Sequence, residues 1–462
     1  MSPAPIHWPD SFTRRRRSPF EPGDTSPLQI TEHYPSPPED VRTAEAVACL
    51  RQLGQRQDQI LAVVTGADAP RRLTVDKTIT PSPLGGYREV AVSEPNPSHG
   101  TRRRGIVKLQ IWQHWREAFA AETGLQLAEN HLDASLNVAA AHEALEADIL
   151  STTDTFLLTH RDHRAFSALN VCSPLEACQV LGLLLRNRDN YCVNDWYSID
   201  REIFYWTLMR SRLPAMWRYF SACLHSAKAR KDDTDYLGQS IMARAKWVLE
   251  ARDDIGAQFY RRHTNTTSDR MTYHVSYFVT LLMGAFDAAA RVAVRAYNVP
   301  SRRAKISFRN PEFRVLLRKH GAAALADVLE SDRFQRTTTI VNTVRNAIHG
   351  TGISPIGYSD AGKPTQSRVR VPESETAAIL AALAGAQDAA EWGSHDPARL
   401  GFEPYTFAQT ACRRTFELLN AAADATDVSR LFPTGASVVT MDGPPANWDD
   451  SPGIVARLDV LG

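Results

Sequence analysis

The chain has 462 residues, of which 43% are hydrophobic and 23% are charged, as in an ordinary globular protein. This length favours two domains with tails over a single domain. Lysine and arginine together number 53 and aspartate and glutamate 52, so no global charge attracts nucleic acid or a membrane. Any anionic partner must be bound by a local cluster.

The apolar segments predict a cytoplasmic protein that does not enter a membrane. The longest of them, around residues 275–286, is shorter than the roughly 18 residues that a membrane span needs. The early run Arg14–Arg17 is followed by Ser18 and Pro19 and not by an apolar signal segment. The six cysteines are scattered without a CxxC pair, which predicts buried free thiols, no metal site and no cofactor.

The first forty residues are rich in proline, serine and arginine, so we predict a disordered arm over residues 1–40. Residues 41–195 are predicted to form a smaller α/β domain. It begins with a helical pattern over 41–64, continues through a β-like run over 87–92, and includes an alanine-rich helix over 132–150. Phe119 is expected in the core, on one helical face with Trp112 and Trp115.

Two local signals stand out in this domain. Residues 154–159 form an apolar run between polar boundaries, which predicts a buried strand. Ser173-Pro174-Leu175-Glu176 is typical of a helix start, with Ser173 as N-cap, Pro174 at the first position and Glu176 reaching back to the cap. A helix, a strand and a capped helix favour an α/β unit.

From residue 196 to residue 425 the sequence predicts a helical domain, and the fold class is therefore mainly α. Residues 426–462, rich in proline, glycine and aspartate, are predicted to be a loosely held C-terminal tail. The predicted helices cover residues 199–224, 236–262, 271–298, 334–349, 373–387 and 407–423.

The helix over 334–349 carries the segment of the chain whose residues point most directly to a chemical function. Arg345 and His349 are four residues apart, so their side chains lie on one helical face, a turn apart. Gly350 is expected to end the helix. Histidine titrates near neutrality and can move a proton at a ribose hydroxyl or a leaving oxygen. Arginine can hold two phosphate oxygens as negative charge builds in the transition state.

Arg345-Asn346 followed by His349-Gly350 at a helix end resembles the HEPN superfamily of small helical bundles, many of which are metal-independent endoribonucleases in toxin, antiphage and RNA-processing systems. The resemblance covers about residues 235–350. It implies that Arg345 contacts the scissile phosphate, His349 acts as acid and base, and Asn346 matches the polar residue that often follows the arginine. It also implies a homodimer, RNA as substrate and a regulatory partner such as an antitoxin. Fewer residues separate Arg345 from His349 than is common in the family.

A basic joint precedes the motif helix and is predicted to bind RNA phosphates through Arg302, Arg303 and Lys305, with Arg309 close by. A solvated loop is the alternative interpretation. His274 and Asp287 lie on the preceding helix, where they could face the motif.

Residues 132–186 faintly resemble the end of a PIN nuclease domain. There Arg161 stands where a metal-binding aspartate is expected, so a PIN-like metal site would be inactive. For Arg345 and His349, an inactive HEPN-like binder and an ordinary helix end with a structural histidine stay open. The leading hypothesis is a metal-independent endoribonuclease, and the alternative is a non-catalytic helical module that binds RNA or protein.

Overall fold

The protein is mainly helical, with one parallel sheet near its N-terminus and two small antiparallel sheets among its described residues. The computed structural model describes residues 18–23, 28–35, 38, 40–54, 60–65, 74–76, 87–93, 102–108, 117, 119–121, 123–124, 147–161, 170–191, 198–230, 232–300, 306–358, 366–394 and 401–432.

The described helices are α1 (Val41–Gly54), α2 (Thr155–Thr159), α3 (Pro174–Asn187), α4 (Arg201–Arg212), α5 (Pro214–Arg230), α6 (Thr234–Phe259), α7 (Asn265–Tyr297), α8 (Pro311–Lys319), α9 (Ala323–Glu330), α10 (Asp332–Gly350), α11 (Glu373–Ala382), α12 (Ala386–Glu391) and α13 (Pro404–Asp424). The described strands are β1 (Leu28–His33), β2 (Ile60–Thr65), β3 (Thr74–Asp76), β4 (Tyr87–Ser93), β5 (Arg102–Lys108), β6 (Ile149–Thr152), β7 (Val171–Cys172), β8 (Ser354–Tyr358), β9 (Gln366–Arg370) and β10 (Gly401–Phe402).

The parallel sheet has the strand order β2-β1-β6-β7, so β1 lies inside it and pairs with β2 on one side and β6 on the other. Leu28 and Ile30 of β1 are buried, and so is Phe20, whose ring stacks on Tyr260 at 5.2 Å between centroids. The prediction of a disordered arm over residues 1–40 is therefore wrong for residues 18–22 and 28–33. The few apolar residues there are stabilised by packing against distant parts of the chain, which average composition does not reveal.

The predicted strand over residues 154–159 is also wrong, because residues 155–159 form the short helix α2. The Asp154 carboxylate accepts hydrogen bonds from the backbone N–H groups of Phe156 and Leu157, as an N-cap does. The strand in this region is β6, which lies just before α2. Its first two residues, 149 and 150, were predicted to be the end of the helix over 132–150. Residues 132–146 lie outside the described part of the chain.

The helical pattern predicted over 41–64 is wrong at its end, because α1 ends at Gly54 and residues 60–65 form β2. Several other local predictions are confirmed. Ser173 and Glu176 form a complete capping box at the start of α3, with Pro174 as its first residue. Phe119 is fully buried, and its ring lies 5.7 Å from that of Phe156. The β-like run over 87–92 is β4. Five cysteines are buried free thiols, whereas Cys192 lies outside the described residues.

The helical part follows most of the predicted segments, with several corrections. The helix predicted over 373–387 ends at Ala382, and a separate helix, α12, begins at Ala386 after Gly385, whose φ is 105°. Helices α8 and α9 were not predicted. The helix predicted over 199–224 is divided into α4 and α5 at Leu213, because Pro214 lacks an N–H group and disfavours a helical conformation in the residue before it. The antiparallel sheet β10-β9-β8 interrupts a region predicted to be purely helical. Its edge strand β8 contains Pro355, which is tolerated at an edge because it need not donate to a neighbour.

Helices α6 and α7 pack together along much of their length, and α3, α5, α10 and α13 surround them. The buried residues on both sides of the predicted boundary at 195/196 belong to one continuous hydrophobic core. The predicted C-terminal tail is partly packed on this core, because a short 3₁₀ helix over Val428–Leu431 buries Leu431 completely. Residues 433–462 lie outside the described part.

Helix α7 is long and apolar enough to cross a membrane by length and composition, contrary to what the shorter apolar stretch at 275–286 indicated. However, 67% of its most apolar 18-residue window is buried inside the protein. The long helix is therefore packed as a core helix among its neighbours.

Candidate functional site

Helix α10 is held at its start and along one face. The Ser331 hydroxyl accepts a hydrogen bond from the Phe334 N–H group as an N-cap. Ile340, Val341 and Val344 are completely or almost completely buried and face the core. This stripe fixes the rotation of the helix, so the residues on its opposite side face solvent.

Arg345 is half-buried, and Asn346 and His349 are exposed at the end of α10. No hydrogen bond or ion pair joins the side chains of Arg345 and His349 to any residue of the described part of the chain. At the end of the helix the N–H groups of Thr351 and Gly352 both donate to the Ala347 carbonyl. Neither side chain is therefore used to cap the helix.

The glycine that ends the helix differs from the prediction. Gly350 is the last residue within α10 and has open space around its Cα. The left-handed backbone conformation, with a φ of 85°, falls two residues later at Gly352. Since such a conformation favours glycine, Gly352 turns the chain toward β8.

Two charged residues from other parts of the chain, Arg309 and Asp287, form an electrostatic cluster with Arg345. Arg309 precedes α8, and Asp287 lies on α7. Burial lowers the pKa of the Arg309 guanidinium, the nearby Asp287 carboxylate raises it, and the like charge of Arg345 lowers it again. The Nε atom of Arg309 is buried and has no hydrogen-bond partner among the described residues. Two guanidinium groups and one carboxylate therefore form a net positive cluster beside the motif helix.

Asn342 belongs to the same face of α10, although no sequence pattern distinguished it. It lies three residues before Arg345 and seven before His349, so the three side chains form one line along the helix. Its Oδ1 atom is buried and accepts no hydrogen bond from the described residues. The helical spacing placed Asn342 on the same face as Arg345 and His349. An asparagine in a helix, however, does not by itself indicate a functional site.

The structure brings together only some of the predicted residues. Arg302, Arg303 and Lys305 lie outside the described part of the chain, so their predicted contact with RNA stays a prediction. His274 faces α6, where its Nδ1 lies 3.6 Å from Asp254 Oδ2. It is about 20 Å from Asp287 along α7, given a rise of 1.5 Å per residue, and is not part of the cluster.

The segment with the PIN-like pattern contains a different arrangement. Arg161 donates hydrogen bonds from Nη1 to both carboxylate oxygens of Glu176, each at 2.7 Å. At the carboxyl edge of the parallel sheet, His33 Nδ1 lies 3.1 Å from Thr152 Oγ1. Among the described residues no group of three or more histidine, cysteine, aspartate or glutamate side chains is placed to hold a metal ion.

Comparisons of the chain with protein-family models, with curated proteins and with solved structures find no match. The interpretation of the cluster on α10 therefore depends on its own chemistry and on the motif Arg345-Asn346-Ala347-Ile348-His349.

Proposed function

We propose that the protein is a metal-independent endoribonuclease of the HEPN type that acts in the cytoplasm. The observation that carries the proposal is that Arg345 and His349 lie on one face of α10 without a protein partner in the described part of the chain. A guanidinium and an imidazole that hold no structural contact are available to a phosphodiester.

In the proposed reaction the ribose 2′-oxygen attacks the neighbouring phosphorus and the bond from phosphorus to the 5′-oxygen breaks. His349 accepts the proton from the 2′-hydroxyl, because neutral imidazole is a base near pH 7. Arg345 donates two parallel hydrogen bonds to the non-bridging phosphate oxygens, whose negative charge grows in the transition state. The products are a 2′,3′-cyclic phosphate and a free 5′-hydroxyl.

The 5′-oxygen must gain a proton as it leaves, and a protonated imidazole other than the one that accepts the 2′ proton would deliver it. A homodimer in which two copies of α10 meet would supply a second imidazole for this step. Such a dimer agrees with the solvent-facing position of His349, since a buried residue could not reach a second copy. RNA is then the substrate, and a toxin or antiphage role with an antitoxin or other regulatory partner is the biological setting that the resemblance implies.

The remaining residues of the cluster fit the same chemistry. Arg309 would add a second positive charge beside the phosphate, and the Asp287 carboxylate would orient the Arg309 guanidinium. The net positive charge of this cluster would concentrate an RNA strand along α10.

The alternative is a non-catalytic helical module that binds RNA or protein through the same face. In that case Arg345 and Arg309 would bind phosphates or carboxylates, and His349 would contribute only packing against the partner. The two functions differ in one respect, because only the nuclease requires the imidazole nitrogen for turnover.

The test is to incubate the purified protein with a labelled RNA in the presence of EDTA. The wild type is expected to produce fragments that end in a cyclic phosphate, and His349→Ala and Arg345→Ala are expected to reduce cleavage at least about 100-fold, as loss of an acid–base group does. His320→Ala, at the end of α8, is the matched histidine control. Arg336→Ala is the matched arginine control, since Arg336 lies nine residues before Arg345 and therefore on the opposite side of α10. Both controls should cleave as the wild type does.

Cleavage that is unchanged in His349→Ala would exclude the proposed mechanism. Binding of RNA without cleavage in every protein would support the non-catalytic module. A trace contaminating nuclease would act equally in all preparations, so the variants also serve as the purity control.

A further inference from the structure

A second candidate site lies between α3, α6 and α13 and shares no lining residue with the α10 cluster. It is a cavity of about 350 Å³ whose walls come from α3, α6 and α13, with contributions from the ends of α4 and α12. Pockets that bind small molecules have volumes of about 300–1,000 Å³, so this cavity can hold a small ligand.

The charged residues that line the cavity are mainly arginines. Among the described lining residues, Arg186, Arg212, Arg252 and Arg413 outnumber the acidic residues Glu391 and Glu417. The lining itself therefore has an excess of two positive charges, which the Asp253 carboxylate beside Arg186 and Arg252 reduces to one. Such a concentration of guanidinium groups around one concave surface attracts anions and repels cations.

Part of this positive charge is buried below the cavity. Arg186 donates from Nε to Asp253 Oδ2 at 2.6 Å, and Arg252 donates from Nη2 to Asp253 Oδ1 at 2.9 Å. The Tyr205 hydroxyl also donates to Asp253 Oδ2, at 2.8 Å. One carboxylate therefore serves two guanidinium groups and a hydroxyl, and its single charge is smaller than the charge of the two arginines. The side chains of Arg186 and Arg252 are only 3% and 11% exposed, so solvent screens this field weakly.

Neutral groups around the arginines complete the lining. Gln179 of α3 and Gln409 of α13 are half-buried and offer amide N–H groups. Leu249 of α6 and Tyr405 and Phe416 of α13 add apolar surface to the lining. Arg413 is 48% exposed and is paired with Glu391 and Glu417. An incoming anion can therefore compete for its guanidinium without first breaking a buried contact.

We infer that this cavity is a binding site for a small molecule that carries a phosphoryl group. A phosphate monoester has a charge of about −1.5 to −2 at pH 7 and three strong acceptor oxygens, which suit a lining with a net positive charge and several guanidinium donors. Guanidinium groups bind phosphate oxygens in pairs, and several of them around one cavity fit a tetrahedral anion better than a planar carboxylate. The apolar wall would contact the organic part of a phosphorylated metabolite or nucleotide, whereas inorganic phosphate would occupy the polar part alone.

The inference can be tested by isothermal titration calorimetry on the full chain in a phosphate-free buffer. The probes are inorganic phosphate, AMP and adenosine. The wild type is expected to bind at least one of the two phosphate-bearing probes with a dissociation constant below about 1 mM, and adenosine at least tenfold more weakly than AMP. Tighter binding of AMP than of inorganic phosphate would assign the site to an organic phosphate, and the reverse order would assign it to the inorganic ion.

Two variants and one control locate the binding in this cavity. Gln409→Glu keeps the size of the side chain and adds a negative charge, and Arg413→Gln removes a positive one, so each should weaken binding about tenfold or more. Arg333→Gln is the matched control, because Arg333 also pairs with Glu417 but does not line the cavity. It should bind within about twofold of the wild type, a difference that a shift of roughly 0.4 kcal/mol would produce.

Gln179→Glu is a second isosteric variant on a different helix and keeps the test valid if Gln409→Glu fails to fold. The affinity of the wild type should also decrease as sodium chloride is raised. Absence of binding of both phosphate-bearing probes to the folded wild type would overturn the inference. Equal affinity of AMP and adenosine would do so too, and so would undiminished binding in the folded glutamate variants.

Discussion

Arg186 and Asp253 form a bidentate ion pair in which Nε lies 2.6 Å from Oδ2 and Nη2 lies 3.2 Å from Oδ1. The two residues belong to α3 and α6, which the sequence placed in different domains. Their side chains are 3% and 6% exposed, so the pair lies within the shared core. This contact fixes the position of the N-terminal α/β region against the helical bundle and forms the floor of the arginine-lined cavity.

Removal of this carboxylate should be costly for stability. In Asp253→Ala the buried guanidinium groups of Arg186 and Arg252 lose the carboxylate that neutralises part of their charge. We therefore expect the free energy of unfolding to fall by about 3–5 kcal/mol. Urea denaturation measures the loss. Asp424→Ala is the matched control, because Asp424 pairs with Arg218 at an exposed site, where the expected loss is only about 0–1 kcal/mol. Similar losses in the two variants would show that Asp253 is not a buried structural partner.

The close packing of α6 against α3 and α13 can be tested at Gly256. A Cβ atom at this position would lie 2.6 Å from Tyr405 Cε2 and 2.7 Å from Leu183 Cδ2, well inside van der Waals contact. Gly256→Ala should therefore lower the unfolding free energy by about 1–3 kcal/mol. Gly350→Ala has open space around it and should instead be neutral or stabilise the protein by up to about 1 kcal/mol. A stabilising Gly256→Ala would contradict the packing described.

The stability of the parallel sheet should depend on pH through His33. Burial lowers the pKa of His33 from its ordinary value of 6.5, and the nearby Asp154 carboxylate opposes this shift. Below pH 6.5 the unfolded chain therefore binds a proton more readily than the folded protein does. The contribution of neutral His33 to the free energy of unfolding is fully present above pH 6.5. It decreases as the pH falls toward the lower pKa of the folded state.

The measurement is the unfolding free energy between about pH 7.5 and about pH 5.5, a range in which histidine changes its charge. His33→Gln should lose less stability over this interval than the wild type does, because its side chain does not titrate. His263 and His274 have pKa values shifted in the same direction, so the variant should retain part of the dependence. An identical slope in the wild type and His33→Gln would exclude His33 as a contributor.

The proposed nuclease also predicts how Arg345→Lys behaves. Lysine keeps the positive charge but cannot donate two parallel hydrogen bonds to a phosphate. Cleavage should fall by about tenfold or more, while RNA affinity in a filter-binding assay should change less, because binding depends mainly on charge. Arg336→Lys is the matched substitution on the opposite side of α10. A lysine variant that cleaves as well as the wild type would show that the paired hydrogen bonds are not needed.

Local signals in the sequence were sufficient for features that depend on neighbouring residues. The capping box at Ser173 is one example, and the positions of α6, α10 and α13 are others, because helical periodicity and cap chemistry act over a few positions. Helix α7 was also predicted, but it begins six residues before the predicted residue 271. The line from Arg345 to His349 was also predictable, since it requires only the geometry of one helix. The strand predicted at 154–159 failed because the hydrogen bonds of one residue, Asp154, outweigh an apolar run.

What the sequence by itself determined is thus most of the long helices and the two side chains that share a face of α10. Only the tertiary structure decided that residues 28–33 enter the sheet, that Arg309 and Asp287 come close to Arg345, and that arginines from α3, α4, α6 and α13 surround one cavity. These features join residues that are tens to hundreds of positions apart, and their free energy comes from burial and charge contacts that no short segment contains.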